Sequence, residues 1–113
     1  MADCIFCKIV EKQIPANVVY EDEKIMVFHD VEPQAPVHVL MISKRHIPSL
    51  NEVCEEDQAL LGYMLGKVKD VAASLGLGNG YRLVNNCGED GLQTVQHIHF
   101  HLLGQRKMGW PPG

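Results

Sequence analysis

The sequence predicts an α+β domain: a five-stranded antiparallel sheet with one short and one long helix. Three observations carry this. Short apolar runs of strand length recur at 18–21, 25–29, 37–43, 81–86 and 97–103. A single long stretch, 55–75, has the three- and four-residue recurrence of a helix, and a shorter one stands at 3–12. Strands and helices do not alternate, so the order does not build a parallel βαβ sheet.

Taken in order, segment 3–12 opens at Asp3, a residue type suited to capping, and carries Ile5, Phe6, Ile9 and Val10 at helical spacing. Pro15 is expected to end it. Strand 18–21 leads through the acidic turn EDEK into strand 25–29, and DVEPQAP at 30–36 is a loop stiffened by two prolines. Strand 37–43, VHVLMIS, is apolar on both faces except at His38, which predicts a central place in the sheet. In helix 55–75 a core stripe is expected from Leu61, Met64, Leu65, Val68, Val71, Ala72 and Leu75. Glu55, Glu56 and Asp57 complement its positive end, and Gly76 and Gly78 stop it. Strand 81–86 and the polar loop CGEDGLQT at 87–94 precede the last strand, 97–103.

A length of 113 residues fits one domain over 1–113, and an apolar content of 46% argues against disorder. Ten basic and fourteen acidic residues give a net charge of −4, which points away from a nucleic-acid binder but permits a local anion site. No apolar run approaches the ~20 residues that span a bilayer. The start, MADCIFCKIVEK, lacks the basic and apolar regions of a signal peptide, so a cytoplasmic protein that does not bind membranes is expected. In a reducing compartment, Cys4 and Cys7, spaced C-x-x-C, suit metal or redox chemistry better than a structural bridge. Cys54 and Cys87 carry no assigned role.

The densest chemistry lies in QHIHFHLLG, 96–104. On a strand, His97, His99 and His101 share one face, while Ile98, Phe100 and Leu102 turn to the core. Three imidazoles can bind a metal. Alternatively, one attacks phosphorus and another assists the leaving group, since a neutral imidazole is nucleophilic near pH 7. Asn86, Gln93 and Thr94 offer amide and hydroxyl contacts to the phosphoryl oxygens, and Gly88 and Gly91 let main-chain N–H groups approach an anion.

The run His97-Ile-His-Phe-His-Leu-Leu resembles the motif of the histidine triad (HIT) nucleotide-binding proteins. IFCKIVEKQIPA, VFHDVEPQAPVHVLMISKRHI, GYRLVNN, QTVQHIHFHLLG and the terminal WPPG are similar to the Hint branch of that family, nearly end to end. The resemblance implies a purine nucleoside phosphoramidate hydrolase, releasing AMP or GMP and an amine. It makes His99 the nucleophile of a nucleotidyl-histidine intermediate, with His101 at the phosphate and leaving group and His38 beside them. Thr94, where relatives commonly carry serine, keeps the hydroxyl, and Asn86 and Gln93 fall on the phosphate side.

The same resemblance assigns Asp30 to the ribose hydroxyls and Ile5, Phe6, Ile9, Phe28, His29 and Val31 to the base pocket; Phe6 also reads as ordinary core. It implies a structural zinc on Cys4, Cys7, His46 and His97, with no metal needed for the chemistry. It further implies a homodimer whose sheets join into one of ten strands, the Trp110 tail reaching the partner's site. The alternatives are a dinucleoside polyphosphate hydrolase, or a nucleotide- or zinc-binding interaction module with incidental turnover.

Overall fold

The predicted strands 18–21, 25–29 and 37–43 form with those bounds, as β1 (Val18–Glu21), β2 (Ile25–His29) and β3 (Val37–Ser43). They belong to a computed structural model that describes residues 3–113. Helix α1 (Ile5–Val10) precedes them. Single 3-10 turns at Leu50–Glu52 and Glu55–Asp57, helix α2 (Gln58–Ser74), β4 (Tyr81–Val84) and β5 (His99–Gly104) follow. The sheet order is β1-β2-β3-β5-β4, with every neighbouring pair antiparallel. Strand β3 is central, as its two apolar faces require.

Both faces of the sheet are covered. Ile25, Val27, Val39, Met41, Phe100 and Leu102 pack against α2 through Met64, Val68, Val71 and Ala72. Met26, Phe28, Leu40 and Ile42 pack on the other face against Phe6 and Ile9 of α1. Six residues of helix are too few to stand alone in water, so α1 exists because that face holds it. On α2 the buried residues recur at steps of four, three and one, a single stripe. Leu65, expected in the stripe, is 50% exposed, because one residue beyond Met64 turns it about 100° away.

The helix ends also differ from expectation. Cys4, not Asp3, caps α1, its Sγ accepting the Cys7 N–H at 3.3 Å. Helix α1 stops at Val10, before Pro15, and Lys12 turns the chain at φ +65°. The acidic residues at 55–57 form the 3-10 turn ahead of α2 rather than its first turn. Asp57 is buried there and paired with Arg45 at 2.9 Å. Gly76 ends α2 as predicted: at φ +76° it lets Gly76 N–H reach Ala73 O and Leu77 N–H reach Ala72 O, and Leu77 then enters the core. Gly78 takes no part in this stop. No helix among the described residues is long and apolar enough to cross a membrane.

Candidate functional site

Strand β5 starts at His99, two residues later than predicted. His99 pairs with Ile42 and His101 with Leu40, so both histidines share the α1 side of the sheet with His38, two residues from Leu40. His97 does not join that row. Its ring nitrogen Nε2 donates to Ser43 O at 2.6 Å, and the next N–H, of Ile98, donates to Ile47 O at 2.7 Å. These bonds to the last residue of β3 and to the segment after it take residues 97–98 out of the β5 ladder, and His97 is completely buried. Strand β4 likewise ends at Val84, short of the predicted Asn86.

Hydrogen bonds to the main chain determine the ring tautomers. His99 Nδ1 lies 2.7 Å from His97 O, a group that only accepts, so Nδ1 carries the proton. The lone pair is therefore on Nε2. That atom has no protein partner among the described residues. Burial holds His99 below its ordinary pKa, opposed by the His97 carbonyl and Asp30, so the ring is neutral near pH 7.

A second chain begins at the Gln34 amide, which donates to His38 Nδ1 at 3.0 Å. An imidazolium has no lone pair to accept that bond, so His38 is neutral, with its proton on Nε2. Its 3.4 Å contact with Asp30 is thus not an ion pair, in agreement with the downward push of burial on His38. His38 Nε2–H donates to His101 Nδ1 at 2.9 Å, which leaves His101 with an N–H at Nε2. Burial, then the neighbouring His99 and His38, lower His101 to about 4. Two neighbouring rings, centroids 5.2 Å apart, thus present opposite groups: a lone pair on His99 and a donor on His101.

Beside them lies a cavity of 380 Å³. All seven residues expected at the base and ribose, Ile5, Phe6, Ile9, Phe28, His29, Asp30 and Val31, line it. Ile14, Pro15, Ala16, Asn17 and Leu40 complete the wall. The coil at 14–17 has no periodicity to announce it, whereas Leu40 could have been found from its alternation with His38. Phe6 is both core and wall: 6% exposed, it meets Phe28 and His99 edge-on at 5.7 and 5.1 Å. A wider depression of 850 Å³ near Tyr81, Arg82 and Lys107 contains no histidine or cysteine, so size alone does not locate the chemistry.

The loop at 87–94 serves partly to hold itself. Gln93 Nε2 donates to Pro48 O and Val95 O, and its Oε1 accepts Gly88 N–H. Both amide protons are committed, so Gln93 offers no free donor to a phosphate. Asn86 donates to Gly91 O at 2.7 Å. Gly91 is required for a different reason from the one predicted: a Cβ there would lie 2.4 Å from Cys87 O. Thr94 is exposed and lines a groove with Cys4, Ile5 and His46.

Cys4, Cys7, His46 and His97 meet as their spacing allowed, with one ligand atom from each within 4.8 Å of the others. Cys4 Sγ and His46 Nδ1 lie 3.3 and 3.2 Å from His97 Nδ1, and Cys7 Sγ is 3.2 Å from His46 Nδ1. Because His97 donates through Nε2, its Nδ1 faces the sulfurs with a lone pair. Two thiols and such a nitrogen at these separations fit a tetrahedral zinc ion. Asp30, His38 and His101 also cluster, but His38 Nε2 already carries a proton and cannot ligate a cation.

Residues 3–110 match the family model described as the scavenger mRNA decapping enzyme C-terminal binding region. Over 98% of the chain, a HIT-like protein of Synechocystis sp. is 54% identical and one of Synechococcus elongatus 55%, each covered over 97% of its length. A HIT family hydrolase from Legionella pneumophila Philadelphia 1 superimposes with a TM-score of 0.96, at 51% identity over 98% of this chain and 100% of that one. A histidine triad protein from Clostridium difficile gives 0.93, at 37% identity over 96% of each chain.

The chain belongs to the histidine triad (HIT) family. Its α+β fold with a five-stranded antiparallel sheet is the HIT fold. In this HIT protein the triad is divided: His99 and His101 face the cavity side, while the ring of His97 joins the cysteines. Sequence reasoning missed the groups that set the tautomers, the Gln34 amide and the Ser43 and His97 carbonyls, since any residue type can supply them.

Proposed function

We propose that this HIT protein is a hydrolase of purine nucleoside phosphoramidates. The supporting observation is the neutral His99, with its proton held by His97 O and its Nε2 lone pair free of any protein partner among the described residues. Nε2 attacks phosphorus, the substrate's P–N bond breaks, and the amine departs with a proton taken from solvent water. Positive charge developing on the ring strengthens the bond from Nδ1–H to His97 O. His101 Nε2–H donates to a phosphoryl oxygen as negative charge gathers there, and the Thr94 hydroxyl serves the leaving amine. Water then cleaves the P–Nε2 bond, releasing the nucleoside monophosphate and restoring His99. The purine occupies the apolar cavity, with Asp30 on the ribose diol.

In this reading a zinc ion on Cys4, Cys7, His46 and His97 staples α1 to the sheet without entering the reaction. The working form is a homodimer joined through edge strand β4. An unpaired edge, 45% exposure of Tyr81 and 82% exposure of Trp110 support that. Mass spectrometry after mixing with adenosine 5′-phosphoramidate and quenching tests the chemistry. A nucleotidyl adduct on His99 is expected. Normal turnover by His99→Ala, with no adduct in the parent protein, ends the proposal.

A further inference from the structure

The ladder between β4 and β5 stops short of His99, and a side chain takes over. Its last pair is Val84 with His101. The next residue, Asn85, donates from Nδ2 to the main-chain oxygen of His99 at 2.9 Å. Reversing the amide would set two acceptors against each other, so its orientation is determined. Asn85 Oδ1 is sealed from solvent and has no hydrogen-bond partner among the described residues. An unpaired buried carbonyl is destabilising, and an apolar side chain like the adjacent Leu83 and Val84 would avoid it. Stability alone does not explain an amide at this position.

We propose that Asn85 is a positioning residue for His99, an inference that rests on the nucleophile reading above. Residues 97–99 are held at three points. The His97 ring binds Ser43 O, the Ile98 N–H binds Ile47 O, and the His99 carbonyl takes the Asn85 amide. The first two tie the segment to the end of β3 and the chain just after it, and the third ties it towards β4. The second fixes the 97–98 peptide, whose oxygen accepts from His99 Nδ1, and the third fixes the 99–100 peptide beyond His99; between them they set the line from His97 O to His99 Nδ1 that aims the ring. Releasing the third tether lets the peptide plane tilt and the ring leave that line. A displacement of about 1 Å in a reacting group is enough for a loss on the order of 100-fold.

The test compares the parent protein with Asn85→Leu, Asn85→Asp and His99→Ala on adenosine 5′-phosphoramidate, with the melting temperature of each. The aspartate variant keeps the shape of the side chain and loses the donor, so one informative variant remains if the leucine variant does not fold. Both Asn85 variants are expected to lose kcat by about 10- to 100-fold with KM changed less than about threefold. The ¹⁵N spectrum of the His99 ring should then show both tautomers where the parent shows one. Full kcat in both variants overturns the inference. So does a loss of kcat matched by a fall in melting temperature with the His99 ring signals unmoved, the mark of a purely structural residue. If His99→Ala is inactive while the Asn85 variants run at full rate, only the positioning role fails. If His99→Ala turns over normally, the nucleophile reading fails with it.

Discussion

The main-chain oxygen of His97 takes the Nδ1 proton of His99 at 2.7 Å, while the His97 ring faces Cys4 and Cys7. One residue therefore belongs to the cysteine cluster by its side chain and is bound to the His99 ring by its backbone. Helix α1 makes the same connection, since Cys7 alternates along it with the cavity residues Phe6 and Ile9. Occupancy of the cluster by zinc should order the cavity, and nucleotide should in turn retain the metal, because coupling between two binding sites is reciprocal. Stripping the metal with a chelator is expected to weaken AMP binding by about fivefold or more and to lower the melting temperature. Calorimetric titration with and without zinc measures it; equal affinities would disprove the coupling.

His38 is hydrogen-bonded to His101 at 2.9 Å. Its Nε2–H keeps His101 Nδ1 unprotonated and so keeps a donor at His101 Nε2. His38→Phe removes that bond and leaves His101 free to take the other tautomer, which presents a lone pair to the phosphoryl oxygens. The expected loss is on the order of 10- to 100-fold in kcat, with little change in KM. Rapid-quench kinetics would place the loss in formation of the nucleotidyl-enzyme. A variant with unaltered kcat would show that His101 needs no such partner.

Acid should destabilise the fold through the same rings. Burial lowers His101 from its ordinary 6.5 to about 4, and lowers His38 as well. Below pH 6.5 the unfolded chain takes up protons that the folded chain refuses, so the unfolded state gains. The stability contributed by these neutral rings is complete above that value and is lost as the pH falls towards 4. For His101 the loss by pH 5 is on the order of 1 kcal/mol after allowance for solvent screening. Melting curves should be flat from about pH 8 to 7 and decline below. The decline should be shallower in His101→Asn; equal slopes would mean that the ring is not held neutral.

Much of this architecture is legible in the sequence where side-chain pattern decides structure. Strands β1 to β3 keep their predicted bounds because the core selects their apolar faces. The cavity wall was readable at Ile5, Ile9, Phe28 and Asp30 only through the family likeness, since apolar residues there read equally as core. The alternation His97-Ile98-His99 looks like strand, yet Ile98 N–H goes to Ile47 O, and a main-chain bond of that kind leaves no trace in residue type. Capping by Cys4 was hidden for another reason: cysteine is not a usual cap, and it serves here because its sulfur already faces the Cys7 amide. The tautomer chain through Gln34 is equally silent, because the group that matters is a backbone N–H.

Asp30 should decide between ribose and deoxyribose. Its Oδ1 is committed to the Glu32 N–H at 2.8 Å, while Oδ2 lies 3.4 Å from His38 Nε2 and is the freer oxygen. The side chain is 17% exposed and lines the cavity, so its carboxylate can accept from the vicinal diol of a ribose there. A 2′-deoxy substrate offers one hydroxyl fewer and leaves part of that capacity unused. For the parent protein, kcat/KM should favour the ribonucleotide by about tenfold, about 1.4 kcal/mol. Asp30→Ala removes the acceptor and should bring the two substrates to near equality, chiefly by raising KM for the ribonucleotide. The cavity wall from Phe28 and Ile9 is untouched, so the purine should still bind. Steady-state kinetics on the matched pair of adenosine phosphoramidates measures this. If discrimination survives in Asp30→Ala, the carboxylate does not hold the ribose.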